Sequence, residues 1–271
     1  MTFILPSSSK VFEIAPHLIP KIVFGDNKFW FVKSDPGSPQ KQKIDLLAYK
    51  LGKDICNISE VRTLSEQEVE DIRPIMSLQS GANNQNTYLV RFASTYGLDE
   101  LPCNTLEKAV ATELVYSTFI RRRDTHALNR EYTPDGIPVF YDSHIAFLIG
   151  EQNWVHSTVF LKFPAGHNDY GRPIHWRVKE IQIKMSTQIA RSVSNPYQLA
   201  WHYIKNIETF KEEMTKATKA VLDLVDESLE NQIVDAGFDP TETEIIHDFL
   251  KRNSITLQSD IEEVTKIVLQ P

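Results

Sequence analysis

The chain has 271 residues, of which 41% are hydrophobic and 24% are charged, and this composition is typical of a folded globular protein rather than a disordered one. Its net charge of −7 provides no general attraction for nucleic acid or for an anionic membrane, so neither is expected as a direct partner. Two cysteines, and the lack of a secretory leader or a membrane-spanning run, favour a cytoplasmic location.

The first third of the sequence is typical of a small sheet with one helix. Short β-rich pieces around a turn at 25–28 predict two antiparallel strands, the second of which ends at Lys33. Helical spacing of apolar residues then predicts a helix with one buried stripe, made of Ile44, Leu47, Ala48, Leu51 and Ile55. EVRTL and TYLVRFA are expected to be further strands, on either side of a polar stretch rich in Gly and Asn.

After a linker, STYGLDELP, the sequence is expected to be mainly helical. Asn104 and Glu107 resemble a capping box, which predicts a helix running toward the three arginines at 121–123. A later helix is predicted by an apolar stripe of Phe210, Met214, Ala217, Val221 and Leu224. Two more helix starts are predicted at capping pairs, Thr241 with Glu244 and Ser259 with Glu262. The fold class is therefore α+β.

The segment RRRDTHALNREYTPDGIPVFYD, residues 121–142, combines groups that suit phosphoryl transfer. Asp124 and Asn129 can face one cavity from a loop, the carboxylate to orient a hydroxyl nucleophile and the amide oxygen to hold Mg²⁺. The turn at 133–136 predicts a hairpin that brings Asp142 near Asn129, where a second carboxylate completes a site for a hard cation. This arrangement predicts Mg-dependent transfer of the γ-phosphoryl group of ATP.

Three pieces of the sequence resemble the HipA-like atypical serine/threonine kinases, which share a D-x-H-x-x-N catalytic loop with the phosphoinositide kinases. They are WFVK for a lysine-bearing strand, KIDLLAYKLGKDICNISEV for the next helix and its exit, and RRDTHALN with VFYDSHIAFL for the catalytic and metal-binding segments. The resemblance implies a two-lobed, protein-kinase-like fold with a small β-rich lobe at 1–97 and a helical lobe at 98–271.

Two of the residues to which the resemblance gives a role lie in the first lobe. Lys33 would hold the nucleotide phosphates. Asp45 would be its acidic partner, at the place where the family has a glutamate that is longer by one methylene. No Gly-rich phosphate loop precedes Lys33, since the sequence there reads APHLIP, with three serines at 7–9.

Four further residues with an implied role lie in the second lobe. Asp124 would be the catalytic aspartate, and His126 would support the loop or the transition state. Asn129 and Asp142 would bind magnesium. The implied cofactors are therefore ATP and Mg²⁺, and the implied partner is a protein that carries the acceptor Ser or Thr.

Other functions stay open at this point. The same catalytic loop serves lipid and small-molecule kinases, although an acidic chain with no basic face does not favour a lipid substrate. The missing Gly-rich loop favours a kinase-like binding module without turnover, whereas the joint presence of Lys33, Asp124, Asn129 and Asp142 favours an enzyme. Taken singly, Lys33 can be a solvated strand end and Asp124 a turn cap.

Overall fold

The computed structural model of the chain describes residues 21–23, 28–37, 40–76, 78, 80–93, 96, 100, 106–122, 130–133, 137–140, 143, 146–147 and 206–268. Within these ranges, the elements in chain order are β1 (Lys21–Val23), β2 (Phe29–Ser34), α1 (Gln40–Gly52), β3 (Val61–Thr63), α2 (Glu66–Met76), β4 (Thr87–Arg91), α3 (Leu106–Phe119), β5 (Arg130–Tyr132), β6 (Pro138–Phe140), α4 (Ile207–Glu227), α5 (Leu229–Asp235) and α6 (Pro240–Val268). The chain thus mixes helices with small antiparallel sheets.

The larger sheet has the strand order β1-β2-β4-β3, and each pairing in it is antiparallel. Every residue of β4 is buried, as expected of a central strand that is covered on both faces. Because side chains alternate along β2, Trp30 and Val32 pack toward α2, while Phe31 packs toward α1. Lys33 shares the face of Phe31, so the alternation of β2 points it toward α1.

The largest hydrophobic core joins α1 with α3, α4, α5 and α6. α3 is buried all round from Ala109 to Phe119, including the polar side chains of Thr112, Glu113, Ser117 and Thr118. Gly52, at the end of α1, lies against the ring of Tyr116 in α3, and a Cβ there would be 2.8 Å from the ring carbon Cζ. Tyr116 also donates a hydrogen bond to the carbonyl oxygen of Ala48, so these two helices touch closely.

The predicted lobe boundary near residue 97 lies between elements that share this core. α1 precedes the boundary in the sequence, yet Leu47 and Leu51 are fully buried in the same cluster as Leu114 and Phe210, which follow it. The division into two lobes at that position stays a prediction.

Most of the predicted elements of the first third are present. The strands of the first pair, EVRTL, TYLVRFA and the helix whose apolar stripe begins at Ile44 are confirmed, although β2 extends to Ser34 and α1 runs from Gln40 to Gly52 and stops before Ile55. Ile55 therefore follows the helix in a turn, where its amide donates to the carbonyl oxygen of Gly52. Residues 25–27 of the predicted turn lie outside the described residues.

The sequence patterns did not predict one helix, α2, because most of its residues are polar. Its capping box was readable: Glu68 accepts from the Ser65 amide at 2.7 Å, and the Glu68 amide donates back to the Ser65 hydroxyl at 3.3 Å. Val69 and Ile72 then form the buried stripe that holds α2 on the sheet.

In the helical part, the stripe of α4 is confirmed, the helix start predicted at Thr241 is confirmed with its cap two residues earlier, and the start predicted at Ser259 is wrong. α6 is one helix from Pro240, and its capping box is Asp239 with Glu242, whose reciprocal bonds measure 2.8 and 3.0 Å. Proline suits the first helical position, where no partner for its nitrogen is required. Ser259 lies inside α6 and donates to the carbonyl oxygen of Thr256 instead of capping a new helix.

The smaller sheet is the predicted hairpin. β5 pairs antiparallel with β6, and the Thr133 amide donates to the carbonyl oxygen of Ile137 at 3.0 Å. Turn residues 134–136 lie outside the described residues, as does Asn104 of the capping box predicted for α3. Among the described helices, none is long and apolar enough to cross a membrane.

Candidate functional site

The site is built around an ion pair between Lys33 and Asp45. The Nζ atom of Lys33, on β2, lies 3.1 Å from Oδ2 of Asp45, on α1. The lysine side chain is 15% exposed and the aspartate side chain only 2%. The shorter acid therefore reaches the lysine, whose side chain is partly exposed.

The Asp45 carboxylate accepts two more hydrogen bonds. The hydroxyl of Tyr88, on β4, donates to Oδ2 at 2.7 Å, and the backbone nitrogen of Ser143 donates to Oδ1 at 2.6 Å. A buried charge is costly unless it is paired and hydrogen-bonded, and here three donors meet that requirement. The carboxylate is consequently held in one orientation.

The bond from Ser143 ties the end of the hairpin to α1. The nitrogen that donates to Asp45 is the peptide nitrogen bonded to the carbonyl carbon of Asp142, the predicted metal ligand. Asp45 therefore links the lysine-bearing strand directly to the segment that carries Asp142. The side chain of Asp142 itself lies outside the described residues.

Three other predicted site residues, Asp124, His126 and Asn129, also lie outside the described residues. Arg122 and Arg130 bracket their segment, the first just after α3 and the second at the start of β5. In the described part of the chain, no group of three His, Cys, Asp or Glu side chains could hold a metal ion. The magnesium ligands stay a prediction.

Arg122 turns back onto α3 instead of facing solvent. Its Nη1 atom lies 3.1 Å from Oε1 of Glu113, and both side chains are only 1% exposed. The same Glu113 oxygen accepts from the hydroxyl of Ser117 at 2.8 Å, and the Arg122 amide donates to the Ser117 carbonyl at 3.0 Å. The residue that lies two positions before Asp124 is thus locked in the protein interior.

The neighbouring residue, Arg121, ties the end of α3 to α6. It has a positive φ of 53°, which ends the helix, and its guanidinium pairs with Asp260 at 2.7 Å. Asn253 of α6 donates to the carbonyl oxygen of Phe119 at 2.8 Å. Two of the three arginines at 121–123 therefore make specific ion pairs, just before the D-x-H-x-x-N segment.

Three contributors to the site were missed by sequence reasoning: Tyr88, Ser143 and Glu113. The alternation of TYLVRFA could have placed Tyr88 on one of the two faces, but it does not say that the partner strand brings Lys33 opposite. The bond of Ser143 is made by its backbone, which leaves no mark in the side-chain pattern. Glu113 interrupts an apolar helix, and a charge at such a position signals a buried partner.

Comparison with known proteins adds a distant structural likeness. No protein-family model matches the chain, and no curated protein matches its sequence. Among solved structures, the chain is similar to a proinflammatory kinase of Helicobacter pylori, CtkA, with a TM-score of 0.45 and 10% sequence identity over 97% of this chain and 98% of that one. At this TM-score the likeness decides neither the fold nor the activity of this chain.

Proposed function

We propose that the chain is a kinase that transfers the γ-phosphoryl group of ATP, with Mg²⁺, to Ser or Thr of a protein. The observation that supports this most is the Asp45 carboxylate, which holds Lys33 at 3.1 Å with one oxygen and the Ser143 amide at 2.6 Å with the other. Phosphoryl transfer needs a cation for the phosphates and metal ligands at a fixed separation from it. A shared buried carboxylate supplies that fixed separation.

In this proposal, each site residue has a separate task. Lys33 neutralises charge on the nucleotide phosphates, and Asp45 keeps its ammonium group in place. Asn129 and Asp142 supply the oxygen ligands that magnesium prefers. Asp124 orients the acceptor hydroxyl and takes its proton.

His126 completes the proposed set, as a support for the D-x-H-x-x-N loop or for the transition state. The wider proposal is a HipA-like kinase with a two-lobed, protein-kinase-like fold, whose lobes meet near residue 97, acting in the cytoplasm. Lys33 lies on a small sheet, and the D-x-H-x-x-N segment follows a buried helix. This placement supports the proposal that the two lobes have separate roles.

The direct test is transfer of label from γ-³²P-ATP by the purified chain, offered a mixture of protein acceptors, phosphoinositide vesicles and no acceptor in separate reactions. Label in protein that disappears with EDTA is the expected result. Label found only in extracted lipid would replace the protein acceptor with a lipid one. Transfer that survives EDTA would contradict the magnesium requirement.

A binding module without turnover is the second candidate, because no Gly-rich phosphate loop precedes Lys33. Thermal unfolding with ATP, with and without Mg²⁺, separates the two, since a ligand that binds only the folded state raises the melting temperature. The kinase proposal expects a rise that depends on magnesium and is accompanied by transfer. A rise without any transfer to any acceptor would favour the binding module.

A further inference from the structure

A groove of about 520 Å³ opens between α5 and the first turns of α6, on the helical side of the molecule. Its apolar lining is Val234, Phe238 and Pro240, and its ionisable lining is Glu230, Glu244 and His247. Val234 is 54% exposed, so its aliphatic side chain is accessible at this concave surface. The groove lies far along the chain from the residues of the candidate kinase site.

The acidic residues of this region differ in whether they form ion pairs, according to the side of the helices that they face. Those facing α1 are engaged: Glu242 pairs with Lys43 at 3.2 Å, and Asp235 with Lys50 at 3.5 Å. By contrast, Glu230 and Glu244, which line the groove, make no ion pair or hydrogen bond within the described part of the chain. The groove therefore presents two carboxylates that no cation of the described chain neutralises.

The floor of the groove is fixed in place from behind. Phe238 is only 9% exposed, and the ammonium group of Lys43 lies 5.5 Å from the centre of its ring. Thr243 also lines the groove, and its buried hydroxyl has no hydrogen-bond partner among the described residues. A rigid apolar floor with acidic rims is suited to an occupant whose apolar side chain is flanked by cations.

The overall charge distribution agrees with a basic occupant. Residues 206–268 contain 15 Asp and Glu but six Lys and Arg, although the whole chain has a net charge of only −7. The acidic surplus is thus concentrated in α4, α5 and α6, of which the last two form the groove. Complementary charge mainly raises the rate and the specificity of association.

We propose that this groove docks a segment of a partner protein in which Lys or Arg residues flank an apolar side chain. The apolar side chain packs on Val234 and Phe238, and the flanking cations pair with Glu230 and Glu244. The proposal does not depend on phosphoryl transfer.

The test uses fluorescein-labelled peptides of a repeated Leu-Lys-Lys-Leu sequence, with one analogue that has Ser for Leu and another that has Glu for Lys. Fluorescence anisotropy should show binding of the Leu/Lys peptide, with affinity at least about tenfold lower for both analogues. Glu230→Lys combined with Glu244→Lys, and separately Val234→Asp, should each weaken binding about tenfold or more.

The matched control is Glu212→Lys combined with Glu262→Lys, which changes the net charge equally at exposed positions outside the groove. It should leave the affinity within about twofold, since it removes only general attraction. Protection of residues 229–247 from hydrogen exchange in the parent chain, on addition of the Leu/Lys peptide, is a second readout that needs no variant.

Three results would overturn the proposal. An equal loss in the control pair, or equal binding of the Ser/Lys analogue, would mean general attraction to an acidic surface. Equal binding of the Leu/Glu analogue would remove the role of charge. A dimer of the chain that Val234→Asp dissociates would assign the groove to a second copy instead.

Discussion

Oδ1 of Asp45 accepts a hydrogen bond of 2.6 Å from the backbone nitrogen of Ser143, which lies 98 residues further along the chain. The other oxygen of the same carboxylate pairs with Lys33. The Asp45 side chain thus connects Lys33 of the sheet to Ser143, through one ion pair and one hydrogen bond. A substitution at Asp45 is therefore expected to affect the positions of both Lys33 and Ser143.

Lys33→Ala should abolish most phosphoryl transfer and leave the protein folded. The loss should be orders of magnitude in rate, or a large rise in the ATP requirement, because the proposed function places this charge against the phosphates. The fold should persist because Asp45 keeps Tyr88 and Ser143 as donors. Lys41→Ala is the control, since Lys41 pairs with Asp35 where both are 39% exposed. Unchanged transfer by Lys33→Ala would reject the site.

Asp45→Ala should destabilise the protein by about 3–5 kcal/mol, since it takes a shared acceptor from the half-buried Lys33, the buried Tyr88 hydroxyl and the Ser143 amide. Asp45→Asn should cost less, because an amide oxygen of the same shape can still accept from Ser143. Urea unfolding measures both. Asp35→Ala, which breaks an exposed pair, should cost under about 1 kcal/mol. An Asp45→Ala chain as stable as the Asp35→Ala chain would show that the three bonds contribute nothing.

Asp142→Asn and Asp124→Asn should affect different steps. Asp142→Asn removes a charge that the metal needs in the ground state, so Mg-ATP binding measured by calorimetry should weaken markedly. Asp124→Asn should bind Mg-ATP nearly as well as the parent chain and lose turnover, because Asp124 acts on the acceptor. If Asp124→Asn keeps its rate, or if both variants bind like the parent, the D-x-H-x-x-N segment is only a turn before a hairpin.

Glu113→Ala should destabilise the protein by about 3–5 kcal/mol, since it leaves the Arg122 guanidinium buried without this partner. Glu113→Leu combined with Arg122→Met should recover a large part of that loss, because an apolar pair needs no compensation. Glu70→Ala is the control, as Glu70 pairs with Arg73 on the surface. Denaturant unfolding gives all values, and a double variant less stable than Glu113→Ala would contradict the expectation.

Glu242→Gln should lower stability at neutral pH by less than about 1 kcal/mol, as for other partly exposed pairs. The pKa of Glu242 is lowered, first by the hydrogen bond from the Asp239 amide and then by Gln40 and Lys43. A lowered folded-state pKa means that the stabilisation is present above the unfolded value of 4.5 and is lost as the pH falls through the folded one.

The difference in unfolding free energy between the parent chain and Glu242→Gln should therefore shrink as the pH falls below 4.5. A difference that stayed constant down to acidic pH would mean that the ionised carboxylate is not the source of the stabilisation.

Local patterns predicted β2, α1, β4 and α4 because the apolar residues of each element repeat along the sequence with the period of a strand, two residues, or of a helix, 3.6 residues. They failed where two signals compete. Ser259 and Glu262 have the spacing of a cap, but α6 continues through them because its buried stripe, including Leu257 and Ile261, is not interrupted. α2 was missed because most of its residues are polar and only Val69 and Ile72 mark its inner face.

The pairing of Lys33 with Asp45 came from a family resemblance and not from the pattern of β2 or α1. No period of one element says which residue of another it will face. The bond from Ser143 was out of reach for the same reason, as was the groove, which depends on the angle between α5 and α6. The register of β2 on β4 would reveal only that Lys33 lies opposite Tyr88.

The contact of α6 with the end of α3 bears on how the chain folds as it is made. Arg121 finds its partner Asp260 only after 139 more residues have been added. At typical synthesis rates of about 5–20 residues per second, that delay is on the order of ten seconds. Until then, the end of α3 is without the contact that anchors it to α6, so we expect it to be fixed in place later than the sheet during synthesis.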